Sequence, residues 1–187
     1  MRKLAAQAGL LAAAALLLCA CDGVRARDQR DPTTPSGFAV PRWLVLKFDE
    51  VNARSGPSED NRILWTYRSR GLPVQVVAET KEWRRICDPD GGLVWVKKGQ
   101  VDGHRNVMRV KTAPLELRRA PKAAAAVEAI LKPKSMAALT GCKDGWCKVK
   151  VQGVTGWAPA AELWGVDDAA QCQGGGKPYP PMPSAAP

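Results

Sequence analysis

The chain has 187 residues, 45% hydrophobic and 25% charged, which fits a soluble globular protein of about one or two domains. With 28 Lys and Arg against 18 Asp and Glu it carries +10, a sign that favours anionic partners. A single histidine, His104, the lack of any carboxylate pair in a motif context and the lack of a phosphate-binding glycine loop argue against an enzyme, and nothing calls for a cofactor.

Residues 1–20 read as an export signal. Arg2 and Lys3 form a positive start, and Ala8 to Ala20 is an uncharged apolar stretch too short for a comfortable membrane span. Two processing sites compete. Leu18-Cys19-Ala20-Cys21 resembles a bacterial lipobox, with Cys21 as the lipidated residue, although Cys19 is unusual at its position; cleavage after Ala26 is the alternative. The polar, Pro-containing stretch that follows is expected to be a flexible linker over 21–40.

From residue 41 the chain reads as all-β. Strands are predicted over 44–48, 51–54, 63–67, 74–78, 83–87 and 93–97, from runs of β-formers separated by Gly and Pro turns. A second series follows over 113–118, 127–131, 136–140, 146–152 and 155–159. The second series repeats the first. Val51-Asn-Ala-Arg54-Ser-Gly-Pro57 is echoed by Leu115-Glu-Leu-Arg118-Arg-Ala-Pro121, Trp83 by Trp146, and Trp95 by Trp157. Landmark offsets of 64, 63 and 62 residues identify two copies of one module, 41–104 and 105–166, each near the lower size limit for an independent core. Gly174-Gly-Gly176 and the Pro-rich end give a disordered tail over 167–187.

An exported chain meets an oxidising compartment, so the four remaining thiols are expected in disulfides. Cys142 and Cys147 flank the turn signal Asp144-Gly145, and a tight hairpin would bring them together; Cys87 and Cys172 then pair by elimination, tying the tail to the first module. A zinc site would need four converging ligands, and the isolated Cys87 and Cys172 form no second knuckle; no metal is expected.

The motif Val-Asn-Ala-Arg-Ser-Gly-Pro-Ser over 51–58, Trp83-x-x-Ile86 and Gly92-x-x-Trp95-Val96 resembles the bacterial Src-homology-3-like (SH3-like) domain. The second module keeps Leu115-x-Leu-Arg118, Gly145-Trp-Cys-Lys-Val149 and Gly156-Trp157, and departs at Ala120 and at Ala158-Pro159. The resemblance covers about 42–166 and implies two tandem SH3-like β-barrels. Its detail is similar to exported tandem proteins of proteobacteria, for which no enzymatic activity is implied. It leaves open a binder of peptidoglycan peptide or an anionic envelope polymer, and a protein-interaction adaptor of an envelope complex. A monomer anchored to a membrane by lipid in the periplasm is expected; nucleic acid is not an expected partner of an exported chain.

Charge is uneven between the modules. Residues 42–104 hold 11 basic and 9 acidic residues, a net of +2, whereas 105–166 hold 11 and 4, a net of +7. Trp65, Trp95 and Trp157 lie within strand patterns and are expected in the core. Trp83 and Trp146 follow polar turns and share a strand face with Arg85 and Lys148, which suits half-exposed platforms for a peptide or sugar; a Trp closing one edge of the barrel is the alternative. Candidate ligand-binding residues are therefore Trp83, Trp146, Arg85, Lys148, Lys143 and Lys150. Arg54 and Arg118 are read as loop tethers through backbone carbonyls, with a ligand carboxylate as the alternative.

Overall fold

The structure, a computed structural model, describes residues 30–172. Thirteen strands occur in chain order among them. β1 to β7 are Arg42–Leu46, Val51–Arg54, Ile63–Tyr67, Pro73–Glu79, Trp83–Cys87, Leu93–Lys97 and Val101–Asp102. β8 to β13 are Asn106–Met108, Leu115–Arg118, Val127–Leu131, Met136–Lys143, Trp146–Val151 and Val154–Pro159. They build two antiparallel sheets, ordered β3-β2-β6-β5-β4-β1-β7 and β10-β9-β13-β12-β11-β8.

Alternation of buried and outward residues is clear in strands of both sheets. In β2, Val51 and Ala53 are buried while Asn52 and Arg54 face outward; in β12, Cys147 and Val149 are buried while Lys148 and Lys150 are exposed. The inward residues collect in two separate cores. The first is built on Leu46, Val51, Val74, Val76, Ile86, Val94 and Val96, and the second on Leu117, Leu131, Cys147, Val149 and Ala158. The two-module, all-β expectation therefore holds, and each copy encloses its own interior.

The second module begins with a strand that periodicity did not reveal. β8 pairs with β11 as β1 pairs with β4, and Met108 bridges Trp164 where Leu46 pairs with Val101 in the first copy. Three residues are too short a run to show a period, and the segment around them read as a link.

The modules are packed together. Met108 belongs to the first core, with Met136 and Trp164 against it. Trp164 donates its indole N–H to the Pro73 carbonyl at 2.9 Å, and Asn106 Nδ2 donates to the Gly71 carbonyl at 2.8 Å. Gly165 lies so close to the Asn106 carbonyl, 2.7 Å from where a Cβ would stand, that only glycine fits; its φ of +106° needs glycine as well.

Both described flanks extend the first module beyond its expected limits. At the N-terminal side, residues 30–38 form a turn, and the Ser36 amide and hydroxyl donate to Glu79. At the C-terminal side, residues 167–172 cross the face presented by Trp43, Gln75 and Cys87. Trp43 Nε1 donates to the Asp167 carbonyl at 2.7 Å, and Gln75 donates to Ala169 and accepts from the Gln171 amide, both at 2.8 Å. The Cys87–Cys172 disulfide closes this crossing. Cys142–Cys147 spans the β11–β12 hairpin, whose two turn residues, Asp144 and Gly145, both take positive φ as a type I′ turn requires. Both pairings match expectation. The export signal, Cys21 and the Pro-rich end lie outside the described residues.

Candidate functional site

The duplicated landmarks meet on the outer faces of the sheets. In the first module the cross-strand register places Arg54 beside Trp95 and Trp95 beside Arg85. In the second it places Arg118 beside Trp157 and Trp157 beside Lys148. Each copy thus carries one indole between two cations, spread over three strands. This row is what the 64, 62 and 63-residue offsets encode.

Arg54 and Arg118 also tether the loops that follow them. Arg54 NH1 donates to the carbonyls of Glu59 and Asn61 at 2.7 and 2.8 Å, and Arg118 NH1 donates to the Ala125 carbonyl at 3.0 Å. The forked guanidinium suits this work. A Cβ at Gly56 would sit 2.6 Å from the end of the Asn61 side chain, so a larger residue there would push that side chain aside. Ala120 stands at the matching place in the second copy, where the arginine reaches one loop carbonyl instead of two.

Two of the expectations for the tryptophans are met and others are not: Trp65 packs against the first core and Trp146 is half-buried. Trp83 is 7% exposed, so it offers no platform in the first module. Its cross-strand neighbour Lys97 reaches Glu59 in the loop over 55–62, and Arg54 lies 3.9 Å from the same carboxylate. These contacts draw the loop towards β6. Trp65, Trp95 and Trp157, expected inside, are half-buried. Trp95 and Trp157 stand on the outer rows, and Trp65 meets Tyr67 edge to face with centroids 5.6 Å apart. A bulge and a three-strand row defeat a reading made strand by strand, which cannot tell an outer indole from an inner one.

In the second module the equivalent arrangement is open. Pro159 replaces Lys97 opposite Trp146, so no cation is available there to pull the loop over it. Trp146 is half-buried and lines a cleft of about 470 Å³ with Leu115, Arg118, Ile130, Pro159 and Glu162. Ile130 is 60% exposed. Beside the cleft, Arg109 and Lys111 both bind Glu162, and those hydrogen bonds, from Lys111 first, hold its carboxyl below its ordinary pKa.

The predicted cations lie on the same sheet face as Trp146, outside the cleft lining. Lys148 and Lys150 alternate outward with Trp146 along β12, and Lys143 is the register partner of Trp146. The Lys143 ammonium stands 5.3 Å from the centre of the Trp157 ring, a cation–π contact. All three lysines are exposed, and none forms a salt bridge among the described residues. Trp146, Lys143, Lys148 and Lys150 thus share one face, whereas Trp83 and Arg85 sit on the other module, and Arg85 is half-buried. Trp43 and Trp164, which join the modules, were missed. The available signal was that neither has a counterpart in the other copy.

A family model described as a bacterial SH3 domain matches the chain twice, over residues 47–103 and 111–165. No curated protein matches it. Among solved structures, NlpC1 from Trichomonas vaginalis is similar at 12% identity and a TM-score of 0.32, covering 67% of this chain and 46% of that one. NlpC2 from the same organism is similar at 13% and 0.31, covering 68% and 49%. The chain spans about half the length of these two proteins, and at such TM-scores the likeness carries no argument about function.

Proposed function

The chain belongs to the bacterial SH3 domain family, and from that premise we propose that it is a non-catalytic, exported binding protein of the cell envelope. Its second module would take peptidoglycan peptide or an anionic envelope polymer. Domains of this family commonly bind peptidoglycan or other envelope components, which supports the ligand class. The observation that carries the choice of module is the exposed group of Lys143, Lys148 and Lys150, without ion pairs among the described residues, on the sheet face that carries Trp146 and its open cleft. Unpaired surface cations attract an anionic polymer at long range, and a half-open indole supplies a flat apolar contact at short range.

Residues 1–20 and Cys21 support export and anchoring by lipid; the intact mass of the mature protein reports acylation directly. Binding is tested by cosedimenting the mature full-length protein with purified sacculi across a salt series. Retention at low ionic strength that falls with salt is expected, because exposed charges are screened over about 10 Å at 0.1 M. Charge reversal of Lys148 and Lys150 should weaken it further. No retention at low salt refutes the proposal, and recovery of one defined protein independently of sacculi would favour an adaptor instead.

A further inference from the structure

A second cavity, of about 460 Å³, lies where the N-terminal turn, the first module and the link to the second meet. It is separate from the Trp146 cleft and shares no lining residue with it. Phe38, Trp43 and Leu44 supply apolar wall, and Arg42, Arg84, Lys98 and Arg105 supply charge. Its volume falls in the range of about 300–1,000 Å³ usual for small-ligand sites.

The four cations on its walls stand against three carboxylates, Glu79, Glu82 and Asp102, a surplus of one. Arg42 and Arg84 share the buried Glu79 carboxylate at 2.5 and 3.2 Å. Lys98 pairs with Glu82 at 2.8 Å. The Asp102 carboxylate accepts from the His104 backbone and is engaged by its ring. Arg105 is left over. Its NH2 donates to the Gly165 carbonyl at 3.1 Å, its Nε is buried with no hydrogen-bond partner, and no carboxylate among the described residues lies within salt-bridge distance. Burial depresses its pKa, with Asp168 acting in the opposite sense. A partly buried guanidinium without an ion-pair partner is costly, and a carboxylate bound at its outer nitrogens supplies the counter-charge.

The complement of one surplus cation with aromatic and aliphatic walls is a monoanion that carries an apolar group. Phe38, 49% exposed, is positioned to cover that group without being needed in either core. We propose that this cavity binds the free α-carboxylate end of a short apolar peptide, with Arg105 receiving the carboxylate and Phe38 and Trp43 contacting the side chain.

The test is a titration of the full-length protein with N-acetyl-Ala-Ala, with its C-terminal amide and with inorganic phosphate, followed through the Trp43 indole resonance. Saturable shifts are expected with the free acid, and binding of the amide is expected to be roughly tenfold weaker or more, the scale of one charge-assisted hydrogen bond. Arg105→Gln should lose a similar factor. Phe38→Ala, at an exposed position, should lose a few-fold while leaving the fold intact, and it decides the matter where Arg105→Gln does not fold. Trp146→Ala should leave this binding unchanged, which separates it from the envelope-polymer reading. Equal binding of acid and amide, equal binding of phosphate, or no saturable shift with any probe overturns the proposal.

Discussion

Trp43 of the first module and Trp164 at the end of the second meet edge to face, with ring centroids 5.0 Å apart and planes at 85°. Each indole N–H is also satisfied across the junction, Trp43 by the Asp167 carbonyl and Trp164 by the Pro73 carbonyl. This pair joins the two modules beside Met108 and Met136, which the second module packs against the first core. Trp164→Ala should therefore cost about 2–3 kcal/mol, below the range for a fully buried aromatic because Trp164 is half-buried. Calorimetry should then resolve two transitions where the parent shows one. An unchanged single transition would count against a cooperative junction.

The two disulfides should contribute unequally. Cys87–Cys172 closes a separation of 85 residues and Cys142–Cys147 one of 5. In the chain-entropy description these correspond to about 4.5 and about 2 kcal/mol. Cys172→Ser should thus shift the denaturant midpoint substantially more than a double Cys142→Ser, Cys147→Ser change. The reverse order would mean that the C-terminal crossing is held by Gln75 and Trp43 alone.

The sequence made the module plan legible because the landmarks are duplicated and the strands are runs of β-formers between Gly and Pro turns. It also located both disulfides, one from a two-residue turn and the other by exclusion. What it concealed depends on contacts between strands and between copies. β8 is only Asn106–Met108, and its pairing is visible only once β11 is beside it. Trp83 is buried opposite Lys97, which reaches Glu59 in a distant loop, whereas Trp146 is half-buried opposite Pro159, a difference no single strand displays. The basic face was readable because Lys148 and Lys150 alternate on one strand. The Arg105 cavity was not, since its walls come from segments that read as linker and link.

Acid sensitivity should centre on Glu79. Burial pushes its carboxyl up, but hydrogen bonds from Ser36 and Arg42 outweigh this and hold it below its ordinary value of 4.5. A carboxyl depressed in the folded state contributes stability that is present above pH 4.5 and is lost as pH falls through its folded pKa. Glu79→Gln should flatten that part of the stability–pH curve. At neutral pH it should cost about 3 kcal/mol, because Arg42 and Arg84 are left buried without their shared carboxylate. Denaturation midpoints measured from pH 7 down to pH 3 check both effects, and a parallel curve for the variant would assign the acid limb to other groups.

Substitution of the matched tryptophans should separate structure from binding. Trp83 is 7% exposed, so Trp83→Ala should destabilise the protein by about 3–5 kcal/mol. Trp146 borders an open cleft, so Trp146→Ala should cost much less stability. Its effect should appear instead in sacculus binding, weakened about tenfold, the upper part of the range for an aromatic contact in a partly open site. A further comparison isolates the cause. Pro159→Lys restores the residue found opposite Trp83, yet Glu59 has no evident counterpart in the second loop, where Lys122, Ala123 and Ala124 stand. Pro159→Lys together with Ala123→Glu should therefore be needed to draw that loop over Trp146, lowering both the indole's accessibility to a soluble quencher and the affinity for sacculi. If the double variant quenches and binds like the parent, the ion pair is not what distinguishes the closed module from the open one.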